Sequence, residues 1–261
     1  MEGYVNDLFE VYDAEGCAAT PATEKLFIIS EDSESLSGEM KERFHSRVAK
    51  LLYLAKRVRP DILTAIAFLS TRIQVATVED WSKLERVLKY INGSKDMGIC
   101  INMSDGVTVF AYVDSSYGVH SDYKSHTGGV ISMGKGPVFT KSSKQKIMSK
   151  SSTEAELIGI SDMLPQVIWT RDFLIAQGYK VAAAKLFQDN QSTIALANKG
   201  FSTSDKTRHI AIRYFFVKDR VDSGEIVLEY LPTERMTADV LTKPLQGTLF
   251  RTMRKELLNW D

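Results

Sequence analysis

Residues 107–114 read Val-Thr-Val-Phe-Ala-Tyr-Val-Asp, an apolar run that ends on an acid. Its β-branched and aromatic residues predict a strand over Val107–Val113. Asp114 then falls at the strand's end, where a carboxylate can face a cleft. Upstream, Ile99–Ile101 predicts a short strand joined to this one by an Asp105-Gly106 turn. Downstream, Gly128–Met133 and Pro137–Lys141 predict two more strands, linked around Gly134 and Gly136. A long helix is expected from Thr153 to Gln177, with a kink at Pro165. Lys185–Gln188 and Ile226–Leu231 predict strands, and Gln191–Asn198 and Arg208–Ser223 predict helices between them. Glu234–Lys243 and Leu245–Trp260 are expected to be helical, parted by Pro244. Antiparallel strands first and β-α crossovers afterwards imply an α/β domain, a mixed sheet covered by helices.

The chain before this region has a different texture. Phe44, Val48, Leu51, Leu52 and Ala55 recur at helical spacing. Arg59-Pro60 resets the chain, because the residue before a proline avoids the helical region. Ile62, Ala65, Ile66 and Leu69 form a second stripe, and Trp81, Leu84, Val87, Leu88 and Ile91 a third, closed by Asn92-Gly93. Two domains are therefore expected, a smaller helical one over 1–97 and an α/β one over 98–261.

Composition narrows the functional classes. The 261 residues are 44% hydrophobic and 25% charged, ordinary for a globular protein. No apolar run reaches the ~20 residues of a membrane-spanning helix, and no membrane partner is expected. The N-terminus lacks a secretory pattern, and two cysteines make neither a disulfide framework nor a metal spacing, so a cytoplasmic protein is expected. The 33 basic and 33 acidic residues cancel, which argues against generic nucleic-acid binding. Lys135, Lys141, Lys144, Lys146 and Lys150 nevertheless lie in an acid-free stretch. They suit either a phosphate-contacting ridge or a lysine-protected strand edge.

Four acids stand where chemistry would want them. Asp114 and Asp189 end strands, Glu156 lies in the first turn of the long helix, and Asp239 lies near the start of a late one. Singly, each has a structural reading. An Asp after a strand suits a turn or a helix cap. Thr153-x-x-Glu156 fits a capping box, as does Ser151-x-x-Glu154. Asp239 would favour a helix dipole. Together they suit phosphodiester hydrolysis, which needs an activated water and neutralisation of an anionic transition state, tasks that two divalent ions perform. Mg²⁺ prefers such hard oxygen ligands.

Several segments carry a resemblance. They are Tyr112-Val113-Asp114, Lys124-Ser125-x-Thr127-Gly128-Gly129, Ser142-Ser143-Lys144-Gln145, Ser151 through Glu156, Asp189-Asn190 and Ala238-Asp239-x-x-Thr242-Lys243-Pro244-Leu245. This pattern resembles the ribonuclease H region of copia-type retrotransposon Pol polyproteins. Leu52 through Ala55, Arg59 through Ile62 and Arg86-Val87-Leu88-x-Tyr90 are similar to the thumb or connection segment that precedes it. The resemblance implies a ribonuclease H-like five-stranded mixed sheet flanked by helices. It also implies a catalytic metal site of Asp114, Glu156, Asp189 and Asp239, binding two Mg²⁺ ions, with Mn²⁺ as a substitute. Asp114 would bridge the ions, Glu156 and Asp189 would hold one, and Asp239 the other. Glu156 is chosen over Glu154 because the apolar Leu157-Ile158 follows it. The implied activity is cleavage of the RNA strand of an RNA–DNA hybrid. The implied partner is the polymerase part of a reverse transcriptase, with a virus-like particle as the setting. The competing expectation is a catalytically decayed, hybrid-binding or structural remnant.

The expected nucleic-acid contacts are Thr127, Ser142, Ser143, Lys144, Asn190, Gln191, Arg208, His209 and Arg213. His45, His120 and His126 are expected at the surface. The sequence departs from the family pattern at Ser116 and Tyr117, where an acid and a Trp are usual, and at Phe215 and Met236. Tyr4-Val5-Asn6-Asp7 resembles a polymerase Tyr-x-Asp-Asp motif, but Asn6 removes one metal ligand, and no polymerase activity is expected.

Overall fold

The structure is a computed structural model that describes residues 2–12, 15–103, 107–199 and 210–260. The chain divides into two compact units, one of residues 1–99 with 243–261 and one of residues 100–242. The boundary expected at 97/98 thus falls two residues later. The terminal segment, expected with the second domain, groups with the first unit instead.

The first unit is helical: α1 (Glu2–Val11), α2 (Gly38–Arg57), α3 (Leu63–Arg72), α4 (Val78–Asn92) and α8 (Gly247–Leu258). Thr77 opens α4 with a reciprocal capping box to Asp80. Phe44, Val48, Leu51 and Leu54 of α2 are buried, as are Ile66 and Leu69 of α3 and Leu84, Val87 and Ile91 of α4. The three sequence stripes therefore meet in one core. At Arg59-Pro60 the chain turns through a short 3₁₀ helix, Pro60–Ile62. There the buried Arg59 guanidinium donates from Nε and Nη2 to Asp61 at 3.0 and 2.8 Å, and from Nη1 to the Ser94 carbonyl at 2.7 Å. Tyr90 donates its hydroxyl to the same Asp61 at 2.5 Å. The Tyr4–Asp7 motif lies on α1.

The second unit is built on a five-stranded mixed sheet in the order β5-β3-β2-β6-β7. Its strands are β2 (Phe110–Ser116), β3 (His126–Ser132), β5 (Pro137–Lys144), β6 (Ala184–Gln188) and β7 (Ile226–Tyr230). β2 pairs antiparallel with β3, and β3 with β5, while β2–β6 and β6–β7 are parallel. The fold class implied by the resemblance, an α/β five-stranded mixed sheet with helices, is the one observed.

The short strands β1 (Asn102–Met103) and β4 (Gly134–Lys135) pair with each other. The strand expected at Ile99–Ile101 as a hairpin partner of Val107–Val113 is therefore displaced and paired elsewhere. The reason is occupancy, since both edges of β2 are taken, by β3 and by β6. The Asp105-Gly106 turn lies outside the described residues.

Helix α5 (Ser152–Ala176) covers one face of the sheet and runs through Pro165 as a single helix, close to the span expected for it. Helices α6 (Gln191–Lys199) and α7 (Ala211–Asp222) pack with it. Ala111, Val113, Ile131 and Leu186 of the sheet share a core with Leu157, Ile160, Met163 and Leu164 of α5 and Tyr214 and Val217 of α7. Residues 234–243, expected as a helix, form two 3₁₀ turns, Thr233–Arg235 and Thr237–Leu241.

Two adjacent glycines fix what lies on each face. A Cβ on Gly129 would meet the Met163 side chain of α5 at 2.4 Å. A Cβ on Gly128 would meet the Ala238 carbonyl and the Leu241 Cβ at 2.8 Å. Successive strand residues point to opposite faces, so α5 and the 237–241 turn lie on opposite sides of β3.

Candidate metal centre

The parallel pair β2 and β6 ends on the same side of the sheet, and acids at or just beyond these ends come together there. Oxygens of Asp114, Glu156 and Asp189 all lie within 4.8 Å of one another. Asp114 stands near the end of β2, Asp189 directly follows β6, and Glu156 comes from the second turn of α5. Asp114 and Glu156 are buried and Asp189 is half-buried.

Local chemistry decides which glutamate of the helix faces the site. Ser151 Oγ caps α5 by accepting from the Glu154 N–H at 3.2 Å. Glu154 turns back and accepts from the Lys150 N–H at 2.7 Å. The cap thus uses the Ser151–Glu154 pairing, which leaves Glu156, two residues on, to point into the acidic cluster.

Neutral donors hold the three carboxylates. Thr242 Oγ1 donates to Asp114 Oδ2. Gln188 Nε2 donates to Glu156 Oε2 at 3.0 Å, and Thr233 Oγ1 to Asp189 Oδ2 at 2.8 Å. Burial, followed by the nearby charges of Asp114 and Asp189, holds the Glu156 carboxyl well above the usual carboxylate range. Like charges at this separation favour either a proton or a cation between them. The donor set is all carboxylate oxygen, which fits Mg²⁺ or Mn²⁺ and not a thiolate-seeking metal.

The fourth expected ligand, Asp239, is buried on the 237–241 turn but does not join this cluster. That turn packs against β2 and β3. It is also tied to the centre, since Thr242 Oγ1 lies 3.3 Å from the Asp239 carbonyl as well as bonding Asp114.

The expected nucleic-acid contacts separate. Thr127 and Ser142 are turned inward, contrary to expectation. Thr127 is 1% exposed and accepts from Gln145 Nε2 at 2.9 Å, while Ser142 Oγ lies 2.7 Å from His126 Nε2. Both stand on inner strands or face the packed side, where a hydroxyl needs an internal partner. Ser143 and Lys144 are half-buried on β5, and Lys144 pairs with Asp122 at 2.8 Å. Asn190 caps α6 through the Thr193 N–H at 3.1 Å, and Gln191 is exposed on its first turn. Arg213 pairs with Asp162. Arg208 and His209 lie outside the described residues.

His120 and His126, expected at the surface, are buried instead. Their rings are joined at 3.0 Å, from His120 Nε2 to His126 Nδ1. Burial lowers their imidazoles to about 4 and about 3, respectively.

Gln188 was missed by sequence reasoning. Its side chain is buried, and its Oε1 accepts from the Asp189 and Asn190 N–H groups at 2.7 and 3.1 Å. The available signal was alternation. Ala184, Leu186 and Gln188 share the buried face of β6, where a polar residue must find partners.

No protein-family model matches the chain. Among curated proteins it is 32% identical over 213 residues to the retrovirus-related Pol polyprotein from transposon RE2 of Arabidopsis thaliana, covering 80% of this chain. It is 29% identical to that from transposon TNT 1-94 of Nicotiana tabacum over 82% of the chain. It is 25% identical to the transposon Ty1-JR1 Gag-Pol polyprotein of Saccharomyces cerevisiae over 92%. The chain matches only 14–16% of the length of these relatives. Among solved structures, LC11-RNase H1, isolated from compost, is 16% identical, with 51% of this chain and 91% of that one covered and a TM-score of 0.39. The N-terminal RNase H domain of a Mycobacterium tuberculosis protein is 18% identical, with 52% and 95% covered and a TM-score of 0.35. The alignments with RE2, TNT 1-94 and Ty1 make this chain a homologue of a segment of the Pol polyproteins of copia-type retrotransposons.

Proposed function

We propose that the unit of residues 100–242 is a divalent-metal-dependent nuclease that hydrolyses the RNA strand of RNA–DNA hybrids. The observation that carries this reading is the meeting of Asp114, Glu156 and Asp189 within 4.8 Å at the ends of β2 and α5's first turns. Homology to retrotransposon Pol polyproteins supports it, because such an element must remove RNA from a hybrid made by reverse transcription. The polymerase part of a reverse transcriptase is the proposed partner, and the cytoplasm or a virus-like particle the proposed setting.

In this reading Asp114, Glu156 and Asp189 are the catalytic ligands of Mg²⁺, with Asp239 as the fourth, drawn from the adjacent turn. Bound there, divalent ions would supply an activated water and neutralise charge on the scissile phosphate. Asp114 and Asp189 would present oxygens from the rigid ends of adjacent strands. Glu156 would give up its proton as the cation arrives. Thr242, Thr233 and Gln188 orient the carboxylates without adding positive charge that would compete with a cation. Ser143, Lys144, Asn190, Gln191, Arg208, His209 and Arg213 are retained as candidate hybrid contacts, and Thr127 and Ser142 are not.

The test is cleavage of an end-labelled hybrid by the full chain with Mg²⁺ or Mn²⁺, and with Asp114→Asn as control. Cation-dependent cutting of the RNA strand alone, lost in Asp114→Asn, is expected. The competing reading is a non-catalytic hybrid-binding remnant. Hybrid binding without any cleavage would favour it.

A further inference from the structure

Gln188 sits where a single side chain can govern two ligands at once. Its carboxamide is fully buried. The amide nitrogen donates to Glu156 Oε2 at 3.0 Å, and the amide oxygen accepts from the Asp189 and Asn190 N–H groups at 2.7 and 3.1 Å. Both ends of the amide are thus engaged, one by the helix that carries Glu156 and the other by the strand end that carries Asp189. An amide has a fixed donor end and a fixed acceptor end, so it fits this place in one orientation only. A carboxylate there would add a further charge to the cluster, and a hydroxyl could not span both partners.

We propose that Gln188 is a positioning residue that sets the Glu156 carboxylate against Asp189 so that the two can close on one divalent cation. This rests on the metal-centre reading above. Glu156 also accepts from the Ser115 backbone N–H, so Gln188 and the end of β2 together fix its carboxyl beside Asp114 and Asp189. Gln188 touches neither the cation nor the nucleic acid in this role, and it acts through the two acids. Outer partners of metal ligands are worth about 10–100-fold in affinity when removed.

The test uses the full chain and Mn²⁺ binding followed by titration calorimetry or by the spin-resonance signal of free Mn²⁺. Gln188→Met, of similar length and without hydrogen-bonding ends, should weaken Mn²⁺ binding by about 10–100-fold. Gln188→Asn, one methylene shorter, can still cap the backbone N–H groups but cannot also reach Glu156, and it should weaken binding similarly. The loss should be clearly smaller when either change is made in a Glu156→Gln background, because the ligand that Gln188 aims is already gone. A general packing defect would instead cost the same in both backgrounds, and that result overturns the proposal.

Should either variant fail to fold, the unmutated chain carries the test. Mg²⁺ should shift the Gln188 side-chain amide resonance together with the Asp189 backbone amide, and an unmoved Gln188 resonance would overturn the proposal. An unmutated chain that binds no Mn²⁺ removes the metal centre and the proposal with it. Unchanged Mn²⁺ binding in Gln188→Met removes the positioning role alone. Tight, coupled Mn²⁺ binding without hybrid cleavage supports the positioning role while refuting the nuclease.

Discussion

Replacing Glu156 by glutamine should make the metal-free protein more resistant to rising pH, at the expense of cation binding. Glu156 is buried against Asp114 and Asp189, with oxygens no more than 4.8 Å apart. At that distance and an effective dielectric of about 20, two unit charges repel by roughly 3–4 kcal/mol. Half-exposure of Asp189 reduces its share. Burial first, and then this repulsion, favour the protonated form of Glu156 and hold its carboxyl above the usual range. A group whose folded pKa is raised stabilises the fold fully at low pH, and that contribution is lost as pH rises through the folded value. Within that window the metal-free wild type should lose about 1.4 kcal/mol per pH unit relative to Glu156→Gln. For a chain of this size that is roughly 3–5 °C in melting temperature. Glu156→Gln has no proton to lose there and lacks this contribution, and saturating Mg²⁺ should remove it from the wild type. Melting curves in EDTA, from pH 4 upward, measure all three. A gap in melting temperature between variant and wild type that does not widen in the variant's favour as pH rises across the window would refute the reasoning.

The remaining predictions concern the frame around the site. Gly128→Ala should cost about 1–3 kcal/mol in urea unfolding, because its Cβ meets the Ala238 carbonyl and Leu241 at 2.8 Å. Gly129→Ala should cost less, since the Met163 side chain it meets can move. His126 and His120 are held neutral by burial, so the stability they give is present above their ordinary range and lost as pH falls toward about 4 and then 3. Urea midpoints between pH 7 and 4 should therefore decline, and His126→Gln should lessen the decline. In the first unit, Asp61→Asn should destabilise by about 3–5 kcal/mol, because it leaves the buried Arg59 charge uncompensated. A calorimetric melting temperature within a degree of wild type would contradict that.

Local pattern carried most of the sheet. Val109, Ala111 and Val113 alternate inward, so β2 and the position of Asp114 could be read from a few residues. The Ser151 cap and the Asn92-Gly93 stop likewise bounded the start of α5 and the end of α4 to within a residue or two. What escaped depended on partners distant in sequence. β1 reads as half of a hairpin until β3 and β6 claim both edges of β2. His126 looks like a surface residue until Ser142, 16 positions on, is placed beside it. Thr127 offers a hydroxyl to solvent until Gln145 covers it. Residues 237–241 carry helical periodicity, yet the chain tightens to 3₁₀ turns where they pass over Gly128. Gln188 was invisible because its meaning comes only from Glu156, 32 residues away.

The three meeting carboxylates come from positions 114, 156 and 189, and only the parallel pairing of β2 with β6 brings the first and last together. Parallel neighbours demand a long crossover, here spanned by α5, and such non-local pairings form slowly. A nascent or half-folded chain therefore has no place where a divalent ion could be chelated by all three. Crowding of the three charges arises only once β2, α5 and β6 have come together. A divalent ion that bound there would favour the finished fold over every earlier one, and its concentration would become a lever on the stability of the folded state.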